Sequence, residues 1–187
     1  NASFVASASG DRLVSIGSDQ DLKAYLHTKK IKDSEWTQLA AMDGLASEMR
    51  PLSIVDDQYL YVMDSTVSDT TTARVVDLIS GEATAIYHEA GHDPSAFLLS
   101  PVSKKLVGLE YQSGLPEYVY LDQNDNFVDT YISITKALPR NSIRVTSATK
   151  DGALLTVLVQ SDNNPGDFYL FNQSQNTFSY LASAKPG

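Results

Sequence analysis

One stretch of this sequence matches a known catalytic pattern in both residue type and spacing: His88-Glu89-Ala90-Gly91-His92. In a helix, histidines at this spacing lie on one face and bind zinc, while the glutamate activates a zinc-bound water. A catalytic zinc also needs a third protein ligand. The nearest candidate along the chain is Glu110. A zinc protease is therefore one function that the sequence suggests.

The residues around this motif favour a loop instead of a helix. Residues 83–87 predict a strand directly before it, because they are rich in β-branched and aromatic types. Gly91 lowers helix propensity, and Pro94 disfavours helical angles at the residue before it. Glu110 also lies on a predicted strand. We therefore interpret the motif as a loop and keep the zinc protease as a minor alternative. Stoichiometric zinc that is lost in His88→Ala would support that alternative.

Composition excludes several other kinds of chemistry. The chain has no cysteine, so disulfides, thiolate catalysis and cysteine-ligated metal sites are ruled out. We assign no catalytic residue, no cofactor-binding residue, no metal ligand and no cofactor. The net charge of −9 disfavours binding to nucleic acid or anionic lipid. No window resembles a membrane span or a signal peptide, and the compartment, cytoplasmic or periplasmic, stays open.

The chain repeats itself at a nearly constant interval. Four stretches begin with small or polar residues, continue through a tight polar turn and end in an apolar strand. When they are aligned on Asp11, Asp57, Lys104 and Asp151, the separations are 46, 47 and 47 residues. A period of roughly 40–50 residues is typical of the four-stranded blade of a β-propeller.

The second half of each repeat predicts a strand, a polar turn and another strand. In the third repeat, the predicted strands are residues 118–122 and 127–128, on either side of an Asn-Asp-Asn turn at 124–126. Residues 129–138 interrupt the pattern and predict a short helix that ends before Pro139. We interpret this helix as an insertion between the third and fourth repeats.

The predicted fold is all-β, with about four four-stranded propeller blades in a partial or open propeller and one short helix near 129–138. The predicted blades lie near 3–45, 46–92, 93–139 and 140–187, and together they form a single domain over residues 1–187. A β-sandwich would explain the strand content, but it would not explain the repeat of 47 residues.

Residues 95–111 and residues 162–186 carry a resemblance to a known family. Both stretches are similar to the propeller domain of the prolyl oligopeptidase family of serine peptidases, and the resemblance extends over roughly residues 50–187. The acylaminoacyl-peptidase and dipeptidyl-aminopeptidase branches are the most similar. The resemblance implies a non-catalytic propeller that gates and filters peptide access to an α/β-hydrolase domain. No Gly-x-Ser-x-Gly motif occurs in the chain, so no catalytic residue of the family is transferred.

The expected partners follow from this resemblance. They are the C-terminal hydrolase domain of the same parent chain and peptide substrates, with no nucleic acid and no membrane. A stand-alone propeller that binds a protein or peptide is the alternative function. Four blades would leave open sheet edges, which invite pairing, so we expect self-association, with two copies completing eight blades. A closed ring of four blades is the alternative.

Overall fold

The computed structural model describes residues 2–18, 24–42, 48–66 and 68–185. The chain divides into two compact units, Asn1–Asp93 and Pro94–Gly187, and each unit is described by itself. The single domain over residues 1–187 stays a prediction. Among the described residues, no helix is both long enough and apolar enough to cross a membrane.

The first unit, Asn1–Asp93, consists of two four-stranded antiparallel sheets in which strands adjacent in sequence are adjacent in space. The strands of the first sheet are β1 (Ala2–Ala6), β2 (Arg12–Ser18), β3 (Ala24–Lys30) and β4 (Thr37–Met42). Those of the second are β5 (Met49–Val55), β6 (Tyr59–Asp64), β7 (Thr72–Asp77) and β8 (Ala83–His88). The predicted boundary at residues 45–46 lies outside the described residues.

The second unit, Pro94–Gly187, holds a three-stranded sheet, a helix and a four-stranded sheet. The strands of the third sheet are β9 (Ala96–Leu99), β10 (Leu106–Gln112) and β11 (Pro116–Tyr120), and the helix is α1 (Asn126–Ala137). The fourth sheet contains β12 (Ser142–Ala148), β13 (Leu154–Ser161), β14 (Asn164–Asn172) and β15 (Thr177–Ser183). The prediction of an all-β fold with four blade-like sheets and one helix is confirmed.

The tight turns predicted by the repeat are present between the first and second strands of all four sheets. Each contains a residue in the left-handed region, with φ of 80° at Gly10, 54° at Asp57, 62° at Lys104 and 74° at Gly152. Glycine adopts this conformation without a steric penalty, and aspartate tolerates it better than most residues do. The regular spacing of the sequence therefore reflects the same reversal of the chain made four times.

Each unit has its own hydrophobic core. In the first unit, alternate residues of β2 and β3 point inward, so that Val14, Ile16, Ala24 and Leu26 are buried. They pack with side chains of the second sheet, including Leu60. Because the residues of a strand alternate between its two faces, this pattern is what period-two hydrophobicity predicts.

The core of the second unit is built around helix α1. Phe127, Val128, Tyr131 and Ile134 are buried on one side of the helix, and they pack with core residues from the third and fourth sheets, among them Phe171. The prediction that residues 127–128 form a strand is wrong. The side chain of Asp125 caps the helix by accepting the backbone N–H of Phe127 at 2.9 Å.

The helix predicted over residues 129–138 is therefore confirmed, but it begins at Asn126, three residues earlier. It follows β11 at the place where the repeat predicts an outer strand. The third sheet consequently has three strands, not four. The physical reason is the spacing of the apolar residues: positions 127, 131 and 134 share one face of a helix, whereas a strand would divide them between two faces.

Candidate binding site

The His-Glu-x-x-His segment does not form the helix that zinc binding requires. His88 is the last residue of β8, and the residues after it form a turn in which Gly91 has φ of 78°. The two histidines are therefore not one helical turn apart on a common face. Among the described residues, no group of three or more His, Asp or Glu side chains could hold a metal ion.

Local contacts engage the polar groups of this segment. His88 Nε2 lies 2.8 Å from Thr70 Oγ1, and the same hydroxyl donates to the carbonyl oxygen of Glu89 at 2.8 Å. The hydroxyl of Tyr87 donates to Glu89 Oε2 at 2.6 Å. This hydrogen bond raises the pKa of Tyr87. The glutamate that would activate water in a zinc protease is thus bound to a neighbouring tyrosine.

Glu110, considered above as a third zinc ligand, lies on strand β10 as predicted and is 1% exposed. Its carboxylate accepts a hydrogen bond from the hydroxyl of Ser95 at 3.0 Å. The hydroxyl of Ser142 lies 2.9 Å from both of its oxygens. Among the described residues, no cation pairs with it. Ser142 is the first residue of β12, so the carboxylate links the third and fourth sheets.

Tyr118 completes this buried polar cluster. Its hydroxyl donates to the carbonyl oxygen of Asn141 at 3.1 Å and accepts the backbone N–H of Ile143 at 3.1 Å. Burial raises the pKa of Tyr118 well above its usual value, and the nearby negative charge of Glu110 raises it further. The phenol therefore stays neutral and acts as a fixed hydrogen-bonding group between β11 and the start of β12.

A polar cavity of about 380 Å³ in the second unit adjoins the Glu110 cluster, because Ser142 belongs both to the wall of the cavity and to the cluster. We call it the Arg140 cavity. Three loops form it: the turn between β10 and β11, the segment between α1 and β12, and the turn between β13 and β14. Its lining consists of Gln112, Gly114, Leu115, Pro116, Arg140, Asn141, Ser142, Gln160, Ser161, Asp162 and Asn163.

Four of the eleven residues that line this cavity carry side-chain amides, and two of these amides are held in place. Asn141 Nδ2 donates to the carbonyl oxygens of Leu138 and Pro139, at 3.3 and 3.0 Å. Gln160 Nε2 donates to the carbonyl oxygen of Pro165 at 2.9 Å. These bonds fix the two amide groups before any ligand arrives. An amide can both donate and accept hydrogen bonds, so the cavity suits a ligand with polar groups of both kinds.

Two other cavities are lined by turns at the opposite ends of the strands. In the first unit, Arg12 lines a cavity of about 510 Å³, but its Nε already donates to the carbonyl oxygen of Asp57 at 2.9 Å. In the second unit, a cavity of about 460 Å³ includes Lys105, which lies 3.8 Å from a carboxylate oxygen of Asp122. Arg140 differs because none of the described residues pairs with its guanidinium.

Sequence reasoning located part of this site. Asp162 and Asn163 belong to the stretch that carries the family resemblance, and Pro139 correctly marks the end of the helix. Nothing in the sequence indicates that Gln112, Arg140 and Asn163 share a cavity, since three separate loops contribute them. The available sequence signals were the polar residues of two turns and the proline that ends the helix.

Solved structures with the same fold are β-propellers. Prolyl oligopeptidase B from Galerina marginata aligns with 98% of this chain at 14% identity and a TM-score of 0.61. TolB from Acinetobacter baumannii aligns with 100% at 9% identity and a TM-score of 0.61. Oligogalacturonate lyase from Vibrio parahaemolyticus aligns with 99% at 13% identity and a TM-score of 0.57.

These alignments define the fold, which is of the β-propeller type. This chain spans 26% of the Galerina marginata protein, 44% of TolB and 54% of the lyase. No protein-family model and no curated protein sequence matches it. The resemblance to prolyl oligopeptidase propellers stated from the sequence thus agrees with the fold, while the acylaminoacyl-peptidase branch stays a prediction.

Proposed function

We propose that this chain is the propeller part of a serine peptidase of the prolyl oligopeptidase type. It admits short or unfolded peptides to a hydrolase domain of the same parent chain and excludes folded proteins. The observation that carries the proposal is the structural alignment, in which 98% of this chain aligns with a prolyl oligopeptidase. The resemblance of residues 95–111 and 162–186 to the same family supports it from the sequence side.

The chemistry of peptide cleavage would come from the hydrolase domain. Such a nucleophile sits on a sharp strand-to-helix turn with the pattern Gly-x-Ser-x-Gly, and this chain contains no such motif. The role of the propeller is then one of access. A folded protein presents its backbone inside secondary structure, whereas an extended peptide exposes unpaired N–H and C=O groups that an amide-lined cavity can bind.

The test begins with the reading frame that encodes this chain. A Gly-x-Ser-x-Gly segment downstream of Gly187 is required, and its absence would refute the proposal. The full-length enzyme should then cleave a short fluorogenic peptide, but should cleave the same sequence within a folded protein only after denaturation. Equal cleavage of the folded and unfolded forms would leave the peptidase assignment intact and contradict the filtering role.

A stand-alone propeller that binds a protein or peptide is the second candidate. TolB and the lyase match this chain about as well as prolyl oligopeptidase does, so the fold supports both candidates. The reading frame also separates the two. The binding module requires further blades and no hydrolase domain.

Both candidate functions predict that the isolated chain associates with itself. Strand β15 forms one edge of the fourth sheet, and its Tyr180 and Leu181 are 59% and 50% exposed. Exposed apolar edge strands tend to pair with other chains. We expect the isolated chain to dimerise, and light scattering across a concentration series should show a rising mass. A mass of 20.4 kDa at every concentration would contradict dimerisation and favour the alternative, a closed ring of four blades.

A further inference from the structure

Five described residues other than glycine have a left-handed backbone, namely Asp56, Asp57, Lys104, Arg140 and Asn176. Asparagine and aspartate adopt this conformation at low cost, because their short polar side chains can hydrogen-bond locally. Lys104 compensates in another way: its Nζ donates to the carbonyl oxygen of Pro101 at 2.6 Å. Arg140, with φ of 67°, has neither kind of compensation.

The side chain of Arg140 is exposed and lines the Arg140 cavity. Within the described part of the chain, its guanidinium has no hydrogen bond or ion pair. Glycine would adopt the same backbone angle without the steric penalty that an L side chain incurs. The amide of Asn141 holds the backbone of this turn at the carbonyl oxygens of Leu138 and Pro139, but the side chain of Arg140 contributes no contact of its own. Strained backbone of this kind clusters at binding and catalytic sites. The guanidinium itself is therefore the reason that we infer for an arginine at this position.

The surroundings of Arg140 indicate the ligand. A guanidinium presents a planar fork of N–H groups that matches the two oxygens of a carboxylate. Gln112, Asn163 and the fixed amide of Gln160 lie on the same cavity wall, where they can bind neutral polar groups next to that carboxylate. Asp162 also lines the cavity but forms no ion pair with Arg140, so the guanidinium stays available. The volume of about 380 Å³ is within the range of about 300–1,000 Å³ typical of small-molecule sites.

We propose that the Arg140 cavity binds the carboxylate of a small ligand, and that Arg140 determines this specificity. The source of the carboxylate rests on the proposed function: it is the free C-terminus of a short peptide, whose amide groups contact Gln112, Gln160 and Asn163. An acidic sugar offers the same carboxylate, with hydroxyls in place of amides. Both ligands would use Arg140.

The test is an NMR titration of the ¹⁵N-labelled chain with trialanine, trialanine amide and glucuronate. We expect trialanine to shift the backbone amides of Asn141, Ser142 and Gln160 in a saturable way. Trialanine amide should bind about tenfold more weakly or worse, because a hydrogen-bonded charge pair is lost. Arg140→Gln should weaken trialanine binding by a similar factor. Arg144→Gln is the matched control, since Arg144 is an exposed arginine on β12 outside the cavity, and it should bind within about twofold of the parent chain.

The outcomes separate this proposal from the proposed function. If glucuronate binds through Arg140 and trialanine does not bind, the carboxylate site is supported and the peptide-filter function fails. If trialanine and its amide bind equally and Arg140→Gln changes nothing, the carboxylate site is overturned while peptide binding stands. If neither carboxylate produces saturable shifts around the cavity, the carboxylate site is overturned directly.

Discussion

The two compact units each bury a carboxylate on the second strand of a sheet, but they stabilise it by different means. In the first unit, Asp64 is fully buried and pairs with Arg74, whose Nη1 donates to Asp64 Oδ2 at 2.8 Å. In the second unit, Glu110 is 1% exposed and receives hydrogen bonds from Ser95 and Ser142. The Asp64 carboxylate also accepts the backbone N–H and the hydroxyl of Thr66 at 2.9 and 2.6 Å, so it has an opposite charge in addition to neutral donors. Glu110 has neutral hydroxyl donors alone.

The difference shows what each site tolerates. A buried ion pair becomes costly when one partner is removed, because the other charge remains without compensation. A carboxylate held by hydroxyl groups leaves only neutral donors behind when its charge is removed, and these lose about 1 kcal/mol each. The second unit also replaces the outer strand of its first sheet with helix α1. We therefore expect its weakest points to be packing around the helix, and those of the first unit to be electrostatic.

The largest effect should come from the helix. Ile134→Ala removes a side chain that is fully buried in the core of the second unit, and we expect a loss of about 3 kcal/mol in the free energy of unfolding. Urea unfolding followed by far-ultraviolet circular dichroism measures it. Ser133→Ala, at an exposed helical position, is the control and should change stability by less than about 0.5 kcal/mol. Similar losses in both variants would show that the helix does not complete the core.

The next effect should appear at the ion pair of the first unit. Arg74→Met keeps much of the aliphatic side chain but leaves the carboxylate of Asp64 buried without a cation. We expect a loss of about 2–3 kcal/mol, below the value for a fully buried pair because Arg74 is 21% exposed. The double variant Arg74→Met with Asp64→Asn removes the charge but keeps an acceptor for the two Thr66 donors, so it should recover part of this stability. If the double variant is less stable than Arg74→Met alone, the cost does not arise from an uncompensated charge.

Glu110→Gln in the second unit should have a smaller effect. The amide retains one oxygen as an acceptor for Ser142 or Ser95, and no unpaired cation remains among the described residues, so we expect a loss of about 1 kcal/mol. The same urea experiment compares it directly with Arg74→Met. A loss equal to that of Arg74→Met would break the comparison, because it would mean that the charge of Glu110 is as necessary as that of Asp64.

The smallest effect has the opposite sign. Arg140→Gly relieves the left-handed backbone strain, at the cost of extra freedom in the unfolded chain, and we expect a net gain of about 0.5 kcal/mol. Lys104→Gly relieves similar strain but loses the hydrogen bond from Nζ to Pro101, so it should gain nothing. Thermal unfolding of the two variants measures the difference. A loss of stability in Arg140→Gly would show that the arginine stabilises its own loop.

The repeat made the architecture accessible from sequence. Turns with left-handed residues recur at Gly10, Asp57, Lys104 and Gly152 because each sheet reverses the chain in the same way, and this constraint is local. The third repeat shows the limit of such reasoning. Its Asn-Asp-Asn stretch was interpreted as a turn between strands, but Asp125 is an N-cap, because tertiary burial of Phe127 and Tyr131 selects the helix.

Sequence was therefore sufficient for the all-β class, the blade period, the end of the helix at Pro139 and the absence of a Gly-x-Ser-x-Gly nucleophile, since each depends on local preferences or on composition. Local signals, namely the predicted strand before His88, Gly91 and Pro94, also predicted that the motif forms a loop instead of a helix, and the structure has a turn there. Tertiary structure decided which residues meet: it brought Glu110 to Ser142, and Arg140 to the amides of two distant turns. Such contacts join residues that are far apart along the chain, and no local preference encodes which loops meet.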